Sequence, residues 1–336
     1  MPVRIGVNGF GRIGRLMLRL SEERSDVEIA AINDPFISPE YMCYLLKYDS
    51  VHGRFKGEVS PAPGGIAVNG RLIRACSCRA PEDIPWAELG AETVAEASGA
   101  FTSLESASRH FRGGAQRIVI TAPSADAPTY VVGVNDSEYD PAEKIVSNAS
   151  CTTNCLAPLA RIIHSEFGIE EALMTTIHAA TASQRTVDGV SARDWRAGRS
   201  VFGNIIPAST GAARAVGRVI PELQGRLTGM AMRVPCANVS VVDLTARLSC
   251  SASYGDICAA LRRASGREYR GIVKCLSAPV VSSDLMGDTH TCIFDEKAGL
   301  SLNDRFVKLI AWYDNETGYS SKVLDLACRI SGPKKS

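Results

Sequence analysis

The chain lacks an excess of charge of either sign. Lys+Arg 37 against Asp+Glu 36 leaves a formal net charge of +1, so no global field recruits nucleic acid or a membrane surface, and neither is an expected partner. It lacks any run approaching the roughly 18 apolar residues of a membrane span. No secretory signal is visible, because the apolar start breaks at Asn8. The end, Gly332-Pro333-Lys334-Lys335-Ser336, carries no prenylation or peroxisomal address. Histidine is scarce, at five, and no second cysteine pair stands at zinc spacing, which argues against a metal site. Cysteine, at eleven, is present but far below a disulfide scaffold. The count is odd, and Cys155, Cys258 and Cys328 lie in apolar stretches, where free thiols pack as small hydrophobes. A reducing, cytoplasmic location is therefore expected. With 45% hydrophobic and 22% charged residues, the 336-residue chain reads as globular, with length for roughly two domains.

The first 35 residues form one unit of pattern. Val3, Ile5 and Val7 alternate as a short strand, Gly9 to Gly14 punctuate a turn, a leucine-rich helix runs to about Arg24, and Glu28 to Asn33 is a second buried strand. Strand, helix and strand at this spacing make a βαβ unit and hence a parallel sheet. Further apolar runs, Thr93 to Ala97, Arg117 to Thr121 and Lys144 to Ser147, extend it, with a helix over Ser103 to Phe111. Asn69-Gly70 between two apolar runs predicts a hairpin insert. After about residue 150 the pattern changes. Cys155 to Phe167, Thr210 to Ile220 and Tyr254 to Ser265 read as helices. Ala172 to Thr181, Leu227 to Val234, Asn238 to Leu248 and Arg305 to Asp314 read as antiparallel strands with one wet face. Residues 183 to 207 form a long polar loop, a length that signals function. A last helix, Ser320 to Ile330, is expected to return to the first domain. The expected division is 1–150 and 151–316, with the C-terminal helix 317–336 completing the first domain. His110 and His164 fall in amphipathic helices and are expected at the surface.

Three motifs carry chemistry. Gly9-Phe10-Gly11-Arg12-Ile13-Gly14 follows a strand, opens a helix, and is followed by Asp34 at the end of the second strand. That context marks a dinucleotide site, in which the helix N-terminus faces the pyrophosphate. Asp34 would accept bonds from the ribose hydroxyls and repel a 2′-phosphate, so NAD is expected rather than NADP. In Ala149-Ser150-Cys151-Thr152-Thr153-Asn154-Cys155, Cys151 stands where a helix begins. Orphan N–H groups and the helix dipole are expected to lower its thiol pKa. Cys155, one turn on, reads as a buried hydrophobe, and His178 is the candidate base. Thr181, Arg196, Arg199, Arg233 and the helix start Ser209-Thr210-Gly211 are candidates for holding phosphate.

These residues resemble a family. NGFGRIGR, ASCTTNCLAP, TIHAAT, NIIPASTGAA, RVP, NVSVVDLT and WYDNETGYS together are similar to the glycolytic glyceraldehyde-3-phosphate dehydrogenases, essentially from Val3 to Ile330. The resemblance implies α/β plus α+β architecture: an N-terminal Rossmann-type doubly wound parallel sheet and a mostly antiparallel α+β catalytic domain. It implies Cys151 as nucleophile and His178 as its base. NAD would be contacted by Arg12, Ile13, Asp34, Arg79, Thr121 and Asn315, beside Gly9 and Gly11. Thr181 and Arg233 would hold the phosphate ester of glyceraldehyde 3-phosphate. Ser150, Thr152, Thr210 and Gly211 would serve inorganic phosphate, with Arg196 or Arg199 nearby. A homotetramer is implied as well, with the loop after Thr181 lining its inner interface.

Some positions depart from the family pattern: Val190 in the loop, Cys236 after RVP, Thr317 in NETGYS, and the segment Lys274 to Pro279. They suggest a divergent second copy that tolerates a thiol-directed inhibitor. Two alternatives stay open at this point. One is oxidation of a related phosphorylated aldehyde such as erythrose 4-phosphate. The other is a redox sensor built on Cys151.

Overall fold

A computed structural model describes residues 1–192 and 194–332. The chain divides into two compact units. One comprises Met1–Tyr130, Glu138–Ala149 and the residues from Ser320 on; the other comprises Val131–Ser137 and Ser150–Tyr319.

The first unit is built from β1 (Val3–Asn8), α1 (Arg12–Ser21), β2 (Val27–Asn33), α2 (Pro39–Lys47), β3 (Val59–Ala62), β4 (Gly65–Val68), β5 (Arg71–Cys76), β6 (Thr93–Glu96), α3 (Leu104–Ser108), β7 (Arg117–Ile120) and β8 (Ile145–Ser147). Its sheet runs β3-β4-β5-β2-β1-β6-β7-β8. From β5 to β8 all neighbours are parallel, while β3 and β4 are antiparallel. The order reverses between β1 and β6. This is the switch point of a doubly wound sheet, where the carboxyl ends of the strands leave a crevice for a ligand. The expected hairpin is the β4–β5 turn, with Asn69 at φ 50 and Gly70 at φ 79, the mirror-image turn that matches strand twist. Below the sheet, Trp86, Val94, Ile118 and Ile120 are fully buried in one core.

The second unit holds α4 (Cys151–Phe167), β9 (Ile169–His178), β10 (Ile206–Ser209), α5 (Ala212–Val219), β11 (Leu227–Arg233), β12 (Ser240–Leu248), α6 (Tyr254–Ser265), β13 (Val273–Leu276), β14 (Cys292–Asn303) and β15 (Phe306–Tyr313). The final helix, α7 (Thr317–Ser331), begins here, and its residues from Ser320 on belong to the first unit. Pro333 to Ser336 of the expected 317–336 helix lie outside the described residues. The second sheet runs β10-β11-β9-β12-β15-β14-β13. It is mostly antiparallel, but β9 and β11 pair in parallel, as do β13 and β14. The wholly antiparallel expectation for β9 and β11 is corrected here. The chain between them runs through the long loop, edge strand β10 and α5, and so long a connection permits parallel return.

His110 is a second correction. It is 0% exposed, because both ring nitrogens have buried partners. Nδ1 accepts from the Trp86 indole N–H at 3.0 Å, so Nε2 carries the proton and donates to Glu96 at 2.9 Å. His164 is half-buried, and its Nδ1 accepts the Ile169 N–H at the end of α4.

Candidate functional site

In the first unit a cavity of about 340 Å³ opens at the switch point, lined among others by Gly9, Gly11, Asn33, Asp34, Arg79 and Ser98. Each glycine has a steric reason. Gly9 has φ +96, and a Cβ there would stand 2.7 Å from the Ser98 backbone. A Cβ at Gly14 would meet the Gly9 carbonyl oxygen at 2.2 Å, so only glycine lets α1 start this close to the turn. At Gly11 a Cβ would meet nothing, which leaves space for a ligand. Helix α1 has no side-chain cap and no acidic residue in its first turn, so its leading N–H groups and dipole remain available to an anion. The Asp34 carboxylate accepts from the Phe10 and Phe36 N–H groups, both at 3.0 Å. Those bonds fix its orientation and leave lone pairs for hydroxyl donors. The Arg79 guanidinium stacks over the exposed Phe36 ring at 5.4 Å. These features fit a dinucleotide.

Arg12, Ile13 and Thr121 do not line that cavity. The Arg12 side chain pairs with Asp49, and the Thr121 hydroxyl donates to the Glu96 carbonyl at 3.1 Å. Arg12 and Ile13 stand in the first turn of α1, whose leading N–H groups face an anion site. Sequence reading missed Glu96, which underlies the cavity. Its buried carboxylate accepts from the Asn8 amide at 2.5 Å, the Ser98 N–H at 2.9 Å, the Ser98 hydroxyl and His110. No motif announces it, because its partners Asn8 and His110 come from segments distant in sequence.

The second cluster is in the second unit. Ser150 caps α4, accepting the Thr153 N–H at 3.1 Å, and Ala149 before it is held at φ 55. Cys151 is thereby the first helical residue. Its Sγ stands 3.5 Å from His178 Nε2. His178 Nδ1 is 2.7 Å from the Ala179 carbonyl, which can only accept, so Nδ1 carries the proton and Nε2 presents its lone pair to the sulfur. Register brings in Arg233. On the parallel strands β9 and β11, Arg233 lies opposite His178. Its Nε and Nη1 are buried without hydrogen-bond partners, a costly state that an anionic ligand would relieve.

Electrostatics here differ from expectation. Burial pushes the Cys151 thiol up, against Arg233 and the Thr152 N–H, which pull it down. Desolvation outweighs the helix N-terminus, so the expectation of a lowered thiol is corrected. Burial, and then Arg233, lower His178 to about 4.

The remaining candidates are placed as follows. Thr181 bonds Gln184 through both its N–H and its hydroxyl, at 2.6 and 2.8 Å. The Thr152 hydroxyl is buried against Tyr313 at 2.8 Å. Tyr313, which the WYDNETGYS stretch contains without marking it as a site residue, also bonds Thr176 at 2.9 Å and meets the His178 ring edge-on. Thr210 accepts the Ala212 N–H at 3.2 Å beside the exposed Gly211. Arg196 is exposed in the loop, and Arg199 pairs with Asp188 at 3.0 Å. Asn315 is buried and accepts the Ser240 hydroxyl at 2.8 Å. Nothing in the positions of Val190, Cys236 or Thr317 explains inhibitor tolerance.

Comparison with known proteins identifies the family of both units. The family model for the glyceraldehyde 3-phosphate dehydrogenase NAD binding domain matches residues 3–104, and that for the C-terminal domain matches residues 150–315. Glyceraldehyde-3-phosphate dehydrogenase of Podospora anserina is 59% identical over 331 residues, 98% of each chain. Glyceraldehyde-3-phosphate dehydrogenase 2 of Danio rerio is 59% identical over 323 residues, 96% of each. A chloroplastic glyceraldehyde-3-phosphate dehydrogenase of Arabidopsis thaliana is 58% identical over 324 residues, 96% of this chain and 77% of its own. With the glycine turn, the Cys–His pair and near-complete coverage in agreement, the chain belongs to the glyceraldehyde-3-phosphate dehydrogenase family.

Proposed function

We propose that the chain oxidises glyceraldehyde 3-phosphate to 1,3-bisphosphoglycerate, with NAD and inorganic phosphate as co-substrates. The observation that carries the chemistry is the Cys151–His178 pair at 3.5 Å with Arg233 buried beside it. As the aldehyde arrives, Cys151 Sγ attacks its carbon while the thiol proton passes to His178 Nε2. The Cys151 N–H donates to the hemithioacetal oxyanion, and His178 passes its proton to that oxygen, which becomes the hydroxyl and leaves Nε2 free again. NAD, when bound, supplies the hydride acceptor, and its adenosine end is held by the Gly9–Gly14 turn, Asp34 and Arg79. His178 takes the hydroxyl proton as the hemithioacetal becomes a thioester on Cys151. Arg233, with Thr181, holds the substrate's phosphate ester, and Asn315 serves the nicotinamide. Ser150, Thr152, Thr210, Gly211 and Arg196 or Arg199 form the region for attacking phosphate, which releases the acyl phosphate from sulfur.

The chain works as a cytoplasmic homotetramer in this reading. Support for assembly comes from the apolar residues displayed by the 183–207 loop, Val187, Trp195, Phe202 and Ile205, with Trp195 88% exposed. The test is NADH formation from glyceraldehyde 3-phosphate, with and without phosphate, for wild type and Cys151→Ser. Sustained turnover should require phosphate, and the substitution should lower it at least about 10³-fold. Turnover indifferent to either overturns the mechanism.

A further inference from the structure

We infer that Ser240 is a positioning residue for hydride transfer: its hydroxyl locks the Asn315 side-chain amide so that the amide presents its N–H donors, and not its oxygen, to the nicotinamide carboxamide. The inference rests on reading Asn315 as the residue that serves the nicotinamide, and it names which end of the amide does so. Ser240 is the first residue of β12, the strand between β9 and β15. It lies opposite Tyr313, the last residue of β15. Val241 after it lies opposite Ile177, one residue before the end of β9. Ala179 directly follows β9, and Asn315 stands two residues past β15. The register therefore sets Ser240 between the two chain segments that leave those strands.

A serine hydroxyl has one proton to give and lone pairs to accept with. Here it accepts the Ala179 N–H at 3.0 Å and donates its proton to Asn315 Oδ1 at 2.8 Å. Ser240 and Asn315 are both buried, so a reversed amide costs more than it would at the surface. With Oδ1 taken, the amide has only Nδ2 to offer a ligand, and among the described residues nothing accepts from that nitrogen. A donor needs an acceptor, and of the two polar atoms of a carboxamide only the oxygen accepts. A reversed Asn315 would set oxygen against that oxygen and take from the Ser240 proton its acceptor.

The backbone is strained just where it delivers this hydroxyl. Val239 is held at φ 66, a left-handed conformation that is an outlier for a β-branched residue. Its side chain is buried in one core with Leu285 and Ile293, and that packing keeps the conformation in place. Strain of this kind persists where the surrounding structure over-determines it, and it collects at functional sites. Here the held residue immediately precedes Ser240 and fixes the start of β12.

The test is kcat/KM for the dinucleotide, with glyceraldehyde 3-phosphate and phosphate in excess. It is measured with NAD and with thionicotinamide adenine dinucleotide, in which sulfur, a weak acceptor, replaces the carboxamide oxygen. Wild type, Ser240→Ala, Asn315→Ala and the double variant are compared. Ser240→Ala should lower the value for NAD about tenfold, as for one hydrogen bond, and that for the sulfur analogue less than about threefold. Added to Asn315→Ala, it should cost nothing further on NAD. Ser240→Cys fills the same space with a poor donor and should repeat the pattern, so it decides the matter if Ser240→Ala does not fold. Equal losses on the two dinucleotides, no loss on either, or a loss that adds to that of Asn315→Ala overturns the inference. If Asn315→Ala uses NAD as well as wild type does, it is the reading of Asn315 that fails, and this inference falls with it. A wild type that reduces neither dinucleotide removes the proposed reaction itself.

Discussion

The two candidate pockets are made of different material. The nucleotide cavity is largely backbone: a glycine turn, a bare helix start, and one carboxylate braced by two N–H groups. The cysteine cluster is made of side chains drawn from α4, β9, β11 and β15. A backbone pocket binds what every dinucleotide shares, and its shape is set by where side chains are absent. A side-chain pocket performs one reaction, and each member holds a charge or proton at one atom. Damage should therefore be graded in the first pocket and abrupt in the second.

That contrast can be broken or sharpened by substitution. The largest effect is expected from His178→Asn, which removes the proton acceptor. It should lower kcat by about 10² to 10⁴ and leave NAD affinity, measured by calorimetry, unchanged. Equal losses in rate and cofactor binding would blur the division between pockets. Glu96→Ala should be nearly as severe, but in stability. Removing the buried carboxylate leaves Asn8, Ser98 and His110 donors unpaired and should cost about 3–5 kcal/mol in denaturant unfolding. Arg233→Ala comes next. It should weaken kcat/KM for the phosphorylated aldehyde by about 10- to 100-fold, as for a charge-assisted hydrogen bond. Unphosphorylated glyceraldehyde should respond far less, and an equal loss on both would assign Arg233 to the reacting carbon instead.

The smallest effect is a slope. His178 is lowered in the folded chain to about 4 from an ordinary 6.5, so between those values the unfolded chain binds the extra proton. Stability should then rise with pH from about 4 to 6.5 and be lost on acidification through that window. His178→Asn should flatten that part of the profile, and an unchanged slope would assign it to other groups.

What was legible in the sequence follows the same division. The glycines and Asp34 lie within one βαβ unit, so their spacing alone describes the turn. Cys151 at a helix start and His178 on a strand were legible as types. Their protonation was not, because burial by distant strands reverses the influence of the local helix terminus. Arg233 was legible as one phosphate candidate among several arginines, and the β9–β11 register sets it beside His178. The parallel sense of that pair is a nonlocal choice that alternation cannot encode. His110 was misread for a related reason: an amphipathic helix shows which face is polar, but not that Trp86 and Glu96 supply buried partners for it. Strands β13 and β14 escaped notice because β14 buries only its first four residues before turning polar.

The central claim is that oxidation proceeds while the substrate is covalently held on Cys151. The most direct measurement mixes the chain with glyceraldehyde 3-phosphate and NAD without phosphate, quenches in acid, and maps the products by peptide mass spectrometry. A phosphoglyceroyl adduct on the peptide containing Cys151, formed with one NADH per chain and discharged when phosphate is added, is the expected result. NADH formed without any adduct on Cys151, or an adduct on another cysteine, would contradict it.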